Sequence, residues 1–224
     1  MKLGTIFGKC RIVALAGEKS TGKTNNLVSL IVDYRKYNKT TKIYAYGMPE
    51  SVMKYLVKLN VEEISSISHL IGKENSILIL DEFQRLKLND RRHKDELNSF
   101  IDFVYHQNVY TILSSPNIRE FNSVIGGVIE RWLLKNVRKD MCVNGSQLKK
   151  IVEKYVGRQK ELDSISVPVD KLLLINDEKE ILIHCDYIKE ADSKTGQVNL
   201  FEDCQEIVKE KSQEELPVIK AGGK

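Results

Sequence analysis

The chain has 224 residues, 42% hydrophobic and 29% charged, with a formal net charge of +4 at pH 7. That length suits one sizeable domain with a full apolar core, and the composition is that of a soluble globular protein, neither disordered nor membrane-embedded. A charge so close to balance does not itself indicate a nucleic-acid partner, so any such sign has to come from local clusters of basic residues.

Four cysteines (Cys10, Cys142, Cys185, Cys204) lie far apart and form no CxxC pair. They read as reduced intracellular thiols, not as a disulfide frame or a zinc site. No apolar run approaches the roughly 20 residues of a membrane helix. Lys2, Lys9 and Arg11 precede "IVALA", but that apolar stretch is too short for a signal peptide and runs into a polar loop. The expectation is a cytoplasmic protein without membrane insertion.

The first element is "RIVALAG", continuously apolar and β-branched, as expected of a strand buried on both faces of a parallel sheet. It leads into "GEKSTGKT" (Gly17, Glu18, Lys19, Ser20, Thr21, Gly22, Lys23, Thr24). After Thr24 comes "NNLVSLIVDYRKYN", with Leu27, Leu30, Ile31 and Tyr34 at helical spacing. Strand, glycine-rich loop and helix are the context that the GxxxxGK[ST] motif requires. Gly17 and Gly22 permit backbone angles closed to other residues, turning loop amides around an anion. The helix N-terminus adds donors and the positive end of its dipole. Lys23 would reach the β- and γ-phosphates of ATP, and Thr24 would hold Mg²⁺.

Next come a second strand in "TTKIYAYG", a short amphipathic helix in "ESVMKYLVKL" and the irregular stretch "VEEISSISHLIGKEN". "SILILDEFQRL" is another buried strand, with Asp81 and Glu82 at its C-terminal end. Ligands of open α/β sheets bind at that edge. Asp81 there can support the Mg²⁺ carried by Thr24, and Glu82 can act as general base on the attacking water. Paired acids point to hydrolysis over nucleotide storage. The following "RLKLNDRRHK" holds five Lys or Arg against one Asp. Arg85, Arg91, Arg92 and Lys94 are thereby either DNA-phosphate contacts or part of a solvated basic loop.

The helix "HKDELNSFIDFVYHQN" places Leu97, Phe100, Ile101 and Val104 on one face, and "VYTILSS" is a further strand. Ser115 and Asn117 at its end could sense the γ-phosphate, or "SSPN" could be a turn made of turn-forming residues. Helical spacing continues through Phe121, Val124, Ile125, Val128 and Ile129, weakened by Gly126-Gly127. Trp132 reads as a core residue. "SQLKKIVEKYVGRQ" is an amphipathic helix, and "VDKLLLIN" and "ILIHCDYIKE" flank turn residues as a C-terminal β-hairpin. Residues 1–211 are expected to form a single domain and 212–224 a disordered tail. A cation for the γ-phosphate often comes from a neighbouring subunit as an arginine finger; Arg119, Arg131 and Arg138 are candidates, or ordinary surface arginines.

Phosphate loop, strand ending in Asp81-Glu82, basic segment, helix and polar-ended strand together resemble the RecA-like ATPases with an additional strand and catalytic glutamate. Among these the chain is most similar to the FtsK–HerA superfamily, and especially to small DNA-packaging ATPases of archaeal and membrane-containing viruses. "DEFQRLKLNDRRHKDELNSFIDFVYHQNVYTILSS" carries that likeness, which spans roughly residues 10 to 135. A departure stands beside it: the superfamily commonly has Gln just after the sensor strand, where this chain has "SSPN". The resemblance implies an α/β P-loop ATPase with a mainly parallel central sheet flanked by helices. It further implies ATP and Mg²⁺ as ligands, a homo-oligomeric ring (commonly a hexamer) around double-stranded DNA, and a capsid or portal protein as partner. Two alternatives are a small-molecule kinase of thymidine-kinase type and a nucleotide-dependent assembly switch with little turnover. Those kinases usually carry paired zinc-binding cysteines, which this chain lacks.

Overall fold

The computed structural model of the chain describes residues 2–70, 73–86, 94–121, 123–157, 164–175 and 180–189. Its strands are β1 (Ile12–Ala16), β2 (Ile43–Tyr46), β3 (Val61–Glu63), β4 (Ile77–Leu80), β5 (Tyr110–Ser115), β6 (Arg131–Leu134), β7 (Val137–Arg138), β8 (Ser164–Ile165), β9 (Lys171–Ile175) and β10 (Glu180–His184). Its α-helices are α1 (Lys2–Phe7), α2 (Lys23–Tyr37), α3 (Glu50–Lys58), α4 (Lys94–His106), α5 (Ser123–Gly126) and α6 (Gln147–Gly157). Eight strands form one sheet in the order β10-β9-β6-β1-β5-β4-β2-β3, and β7 pairs with β8 apart from it. From β3 to β6 the pairings are parallel. The last two, β9 on β6 and β10 on β9, are antiparallel, so the sheet closes on a hairpin.

The apolar runs account for this architecture. Every residue of β1 and of β4 is buried, because helices cover both faces of the sheet. Side chains alternate between the two faces. Val13 and Leu15 of β1, Ile77 and Ile79 of β4 and Leu133 of β6 join the core under α1, α2 and α3. Ile12, Ala14, Leu78, Leu80, Trp132 and Leu134 join the other core with Leu97, Phe100 and Val104 of α4 and Leu148 and Val152 of α6. No helix among the described residues is long and apolar enough to cross a membrane. Cys10, Cys142 and Cys185 are free, and burial pushes the Cys142 thiol up to about 11 and Cys185 up to about 12.

Two stretches differ from their sequence pattern. Helical spacing after Phe121 yields only α5 before Gly126-Gly127 ends it, and the chain then enters β6. Trp132 therefore fills the core from a strand, stacked edge-on against Phe121 at 5.4 Å. The irregular stretch after residue 60 begins with an edge strand, β3, three residues long.

Arg131 opens β6 opposite Val13, two residues or more before the strands reach the edge where the glycine-rich loop begins. Its guanidinium Nη1 donates to the Thr5 carbonyl at 3.0 Å and the Ile6 carbonyl at 2.6 Å. Those oxygens are C-terminal carbonyls of α1, where a cation and a donor are both favourable. Within the single chain the Arg131 side chain thus bonds to α1, at the other end of the sheet from the loop, a placement that does not favour it as an arginine finger. Arg131→Ala should lower stability by about 1–2 kcal/mol, read from a denaturant midpoint, and leave turnover of the folded protein unaltered. Lost turnover at unchanged stability would return Arg131 to a catalytic role.

Candidate nucleotide-binding site

β1 ends at Ala16, residues 17–22 form the loop, and α2 begins at Lys23. Gly22 takes φ +81° and Ser20 takes φ +59°, so these two residues make the left-handed turns of the loop. Gly17 is required for a different reason than backbone freedom. A Cβ on it would lie 2.5 Å from the Cβ of Lys135, just past β6. The Lys135 amide donates to the Ala16 carbonyl at 2.9 Å, and the Glu18 amide donates to the Asn136 carbonyl at 2.9 Å. The loop is thus fastened to the end of β6.

Lys23 is buried, and its Nζ donates to the Gly17 carbonyl at 2.9 Å and the Glu18 carbonyl at 2.5 Å. Burial pushes its pKa down to about 8, against the pull of Asp81 and Glu18. Thr21 Oγ1 donates to the Glu18 carbonyl at 2.8 Å, bracing the same turn. Thr24 Oγ1 donates to Asp81 Oδ2 at 2.7 Å, joining the helix start to the end of β4. Asp81 is buried, and its Oδ1 accepts from the Glu82 amide at 3.2 Å.

Gly47, just past β2, is a site residue that motif reading missed. The Asp81 amide donates to the Tyr46 carbonyl at 2.9 Å, and a Cβ on Gly47 (φ +73°) would overlap the Asp81 carbonyl oxygen. Only glycine lets β2 approach Asp81 so closely. The available signal was a glycine directly after the strand "IYAY".

Glu82 sits in the left-handed region at φ +53°, and its partly exposed carboxylate pairs with the Arg85 guanidinium across the 3-10 turn Phe83–Leu86. Ser115 lies beside the loop, in register with Ala16, but its bonds are local. Its Oγ donates to the Asn117 carbonyl at 3.1 Å and accepts from the Asn117 amide at 3.1 Å. Asn117 Oδ1 accepts from the Arg119 amide at 3.1 Å and caps the 3-10 turn Ile118–Glu120. In this structure both side chains make the bonds of a turn. Arg119 is exposed at that edge, and Arg138 pairs with Glu18 Oε1 at 3.6 Å within the same chain. Lys94 opens α4; Arg91 and Arg92 lie outside the described residues.

A second buried lysine adjoins the loop. Lys135 has no exposed surface, and its Nζ donates to the Pro168 carbonyl at 2.7 Å and the Val169 carbonyl at 2.6 Å. Burial pushes its pKa down to about 8, and Lys23 contributes in the same direction. A polar residue after a strand gives no local hint of this burial, because its acceptors come from a segment some 33 residues further on.

These residues fit a phosphate chain and a hard divalent cation. Anionic oxygens would replace the two carbonyls now held by Lys23, and the Thr24–Asp81 pair is an oxygen donor set. No group of three or more potential metal ligands (His, Cys, Asp or Glu) occurs among the described residues. A cation that keeps waters and phosphate oxygens as ligands needs only one or two protein oxygens.

No protein-family model and no curated protein matches the chain. Solved structures do. The genome packaging NTPase B204 from Sulfolobus turreted icosahedral virus 2, in complex with sulfate, aligns at TM-score 0.53 and 14% identity over 80% of this chain and 96% of that one. The same NTPase in complex with AMPPCP aligns at TM-score 0.54 and 13% identity, over 80% and 98%. The cytoplasmic domain of the Type VII secretion ATPase EccC from Thermomonospora curvata aligns at TM-score 0.52 and 9% identity, over 86% of this chain and 26% of that one. The chain therefore shares the fold of these packaging and secretion ATPase structures, with a mostly parallel eight-stranded sheet and a C-terminal antiparallel pair.

The depressed pKa of Lys23 has a measurable consequence. Bound phosphate favours the ammonium, so above pH 8 binding must take up a proton that the free loop no longer holds. ATP affinity should be flat below pH 7 and fall above pH 8, by up to about tenfold per pH unit. Calorimetry in two buffers of different ionisation heat should show the proton uptake. An affinity constant from pH 7 to 9.5 would mean that Lys23 does not meet the phosphates.

Proposed function

We propose that this protein is an ATP-hydrolysing motor that moves double-stranded DNA, as in genome packaging, and works as a homo-oligomeric ring, hexameric by resemblance. The observation that supports the ATPase reading is the Thr24–Asp81 hydrogen bond, which joins the two residues proposed to hold Mg²⁺ beside a loop whose carbonyls hold a buried lysine. Backbone amides of Gly17, Glu18, Lys19, Ser20, Thr21 and Gly22 would surround the phosphates, with Lys23 on the β- and γ-oxygens. Thr24 and Asp81 would hold Mg²⁺, whose charge offsets that developing on the phosphates in the reaction. Glu82 follows Asp81 directly and acts as the base that takes a proton from the attacking water. Its Arg85 partner first has to release it.

The DNA reading rests on the fold likeness to a packaging NTPase and on the basic segment that Arg85 opens. Arg85, Arg91, Arg92 and Lys94 would contact backbone phosphates without reading sequence. Arg85 has two claimants, a DNA phosphate and Glu82, so duplex binding frees the base and turnover rises. Arg119, exposed beside the site, is the arginine that a neighbouring subunit would offer to the γ-phosphate. Ser115 and Asn117 would sense that phosphate only by giving up their turn. A capsid or portal protein would dock the ring.

Phosphate release measured with and without double-stranded DNA tests both halves. Glu82→Gln should retain ATP affinity and lower turnover by about 100-fold or more, while Asp81→Asn should weaken the response to Mg²⁺ itself. DNA should stimulate the unmutated protein and have little effect on Arg85→Ala. Small, equal effects from Glu82→Gln and Asp81→Asn would reduce the pair to the end of a strand. ATP binding that drives ring assembly without turnover would favour a nucleotide-dependent switch instead.

A further inference from the structure

Lys135 and Asn136 follow β6 and meet two parts of the chain at once. Their backbones hold the glycine-rich loop: the Lys135 amide donates to the Ala16 carbonyl and the Asn136 carbonyl accepts from the Glu18 amide, each at 2.9 Å. Their side chains hold the segment that leads into β9. Side chains alternate along β6, so Lys135 emerges on the face of Leu133, the one that α2 covers. Asn136 Oδ1 accepts from the Val167 amide at 2.9 Å, and Lys135 Nζ donates to the Pro168 and Val169 carbonyls. That segment in turn reaches the far end of the loop. Val169 Cγ1 lies 3.1 Å from where a Cβ on Gly22 would stand, and Asn26 Nδ2 of α2 donates to the Val169 carbonyl at 3.0 Å. The loop is thus bounded by Lys135 at its first glycine and by Val169 at its second.

The fold does not need the Lys135 ammonium. The Pro168 carbonyl also accepts from the Lys171 amide at 3.0 Å, and the Val169 carbonyl has Asn26. Removing Nζ would leave neither oxygen without a donor. Lys135 has no exposed surface, and taking a charge out of water is costly even when it is paired. Burial pushes its pKa down to about 8, against the pull of Cys185 and Asp170. A lysine whose pKa falls on folding destabilises the fold while it stays charged, and that cost is relieved as pH rises past 8. A buried charge kept at a cost, on acceptors that are satisfied without it, points to a task in the site.

We propose that Lys135 is a positioning residue, which fixes the glycine-rich loop in its phosphate-accepting shape by seating Val169 on Gly22. The proposal rests on the phosphate-loop reading above. Lys135 meets no phosphate itself. It draws the Pro168 and Val169 carbonyls toward the end of β6, and the Val169 side chain comes to rest on the loop. Gly22 is the left-handed residue (φ +81°) from which α2 starts, and its freedom would let the loop amides turn away from an anion. Restricting it raises the fraction of molecules whose loop is ready, and apparent affinity scales with that fraction. The loop holds the phosphates before and during reaction, so a looser loop weakens both states alike. The loss then appears in KM and not in kcat.

Titration of the full chain with ATP and inorganic tripolyphosphate, steady-state phosphate release and thermal melting test this together. Lys135→Met keeps the apolar stem and removes the charge. It should melt at or above the temperature of the unmutated protein, yet bind both ligands about tenfold more weakly, the change that one lost charge-assisted hydrogen bond carries. KM should rise with kcat unchanged. Val169→Ala, at an exposed position, keeps the carbonyl and loses the contact with Gly22. It should weaken both ligands in the same way, and the double variant should lie within about twofold of the weaker single one. Unchanged affinity in Lys135→Met, or a fall in kcat at constant KM, would overturn the proposal. Additive losses in the double variant would overturn the route through Val169. A Lys135→Met protein that fails to fold would show that the fold needs the ammonium, and would overturn it as well. Failure of the unmutated protein to bind either ligand would overturn the phosphate-loop reading itself, and the role of Lys135 with it.

Discussion

The hydrogen bond from Thr24 to Asp81 links two elements that are not neighbours in the sheet. β1 delivers the loop, β4 delivers the acid, and β5 lies between them. The two side chains meet because parallel strands finish at one edge, so residues far apart in sequence emerge on a shared line. Every other part of the site is arranged around that bond. Gly47 lets β2 close on the Asp81 backbone, and the end of β6 fastens the loop from the other side. If that register slipped by one residue, the acids would turn to the opposite face.

The site is also where the fold accepts unfavourable terms. Two ammonium groups, Lys23 and Lys135, are buried in the same sector, and leaving water disfavours the charged form of each. Backbone carbonyls offset part of that cost. The arrangement for Lys135 is complete in the structure as it stands, with two short bonds to Pro168 and Val169. Lys23 holds two carbonyls of its own loop, the bonds that an anion would replace under the proposed function. Glu82, with a left-handed backbone and an ion pair to Arg85, is a further strained position beside the loop.

Much of this was legible in the sequence, for physical reasons that differ by element. "RIVALAG" and "ILIL" read as buried strands because helices cover both sheet faces. The glycine-rich turn between β1 and α2 reads from its motif, which encodes local backbone geometry. The hairpin after residue 168 reads from its apolar runs and the turn between them. Residues 120–140 mislead, since Phe121 to Ile129 keep a helical period while Gly126-Gly127 stops the helix after one turn. Arg131 looks available to a neighbour in the sequence, but its carbonyl partners come from α1, more than a hundred residues away. Lys135 carries no local signature, because its acceptors come from a distant segment, and the glycine after "IYAY" signals a special position without naming Asp81 as the reason.

Gripping the phosphates of a triphosphate that the protein then hydrolyses is the role proposed for Gly17–Thr24, and everything else in the reading follows from it. The most direct measurement is phosphate release from ATP and Mg²⁺ by the unmutated chain and by Lys23→Ala, with folding of each checked by thermal melting. The expected result is turnover by the unmutated chain and its loss in Lys23→Ala, with the fold retained. Hydrolysis by a folded Lys23→Ala protein at the unmutated rate would contradict that role.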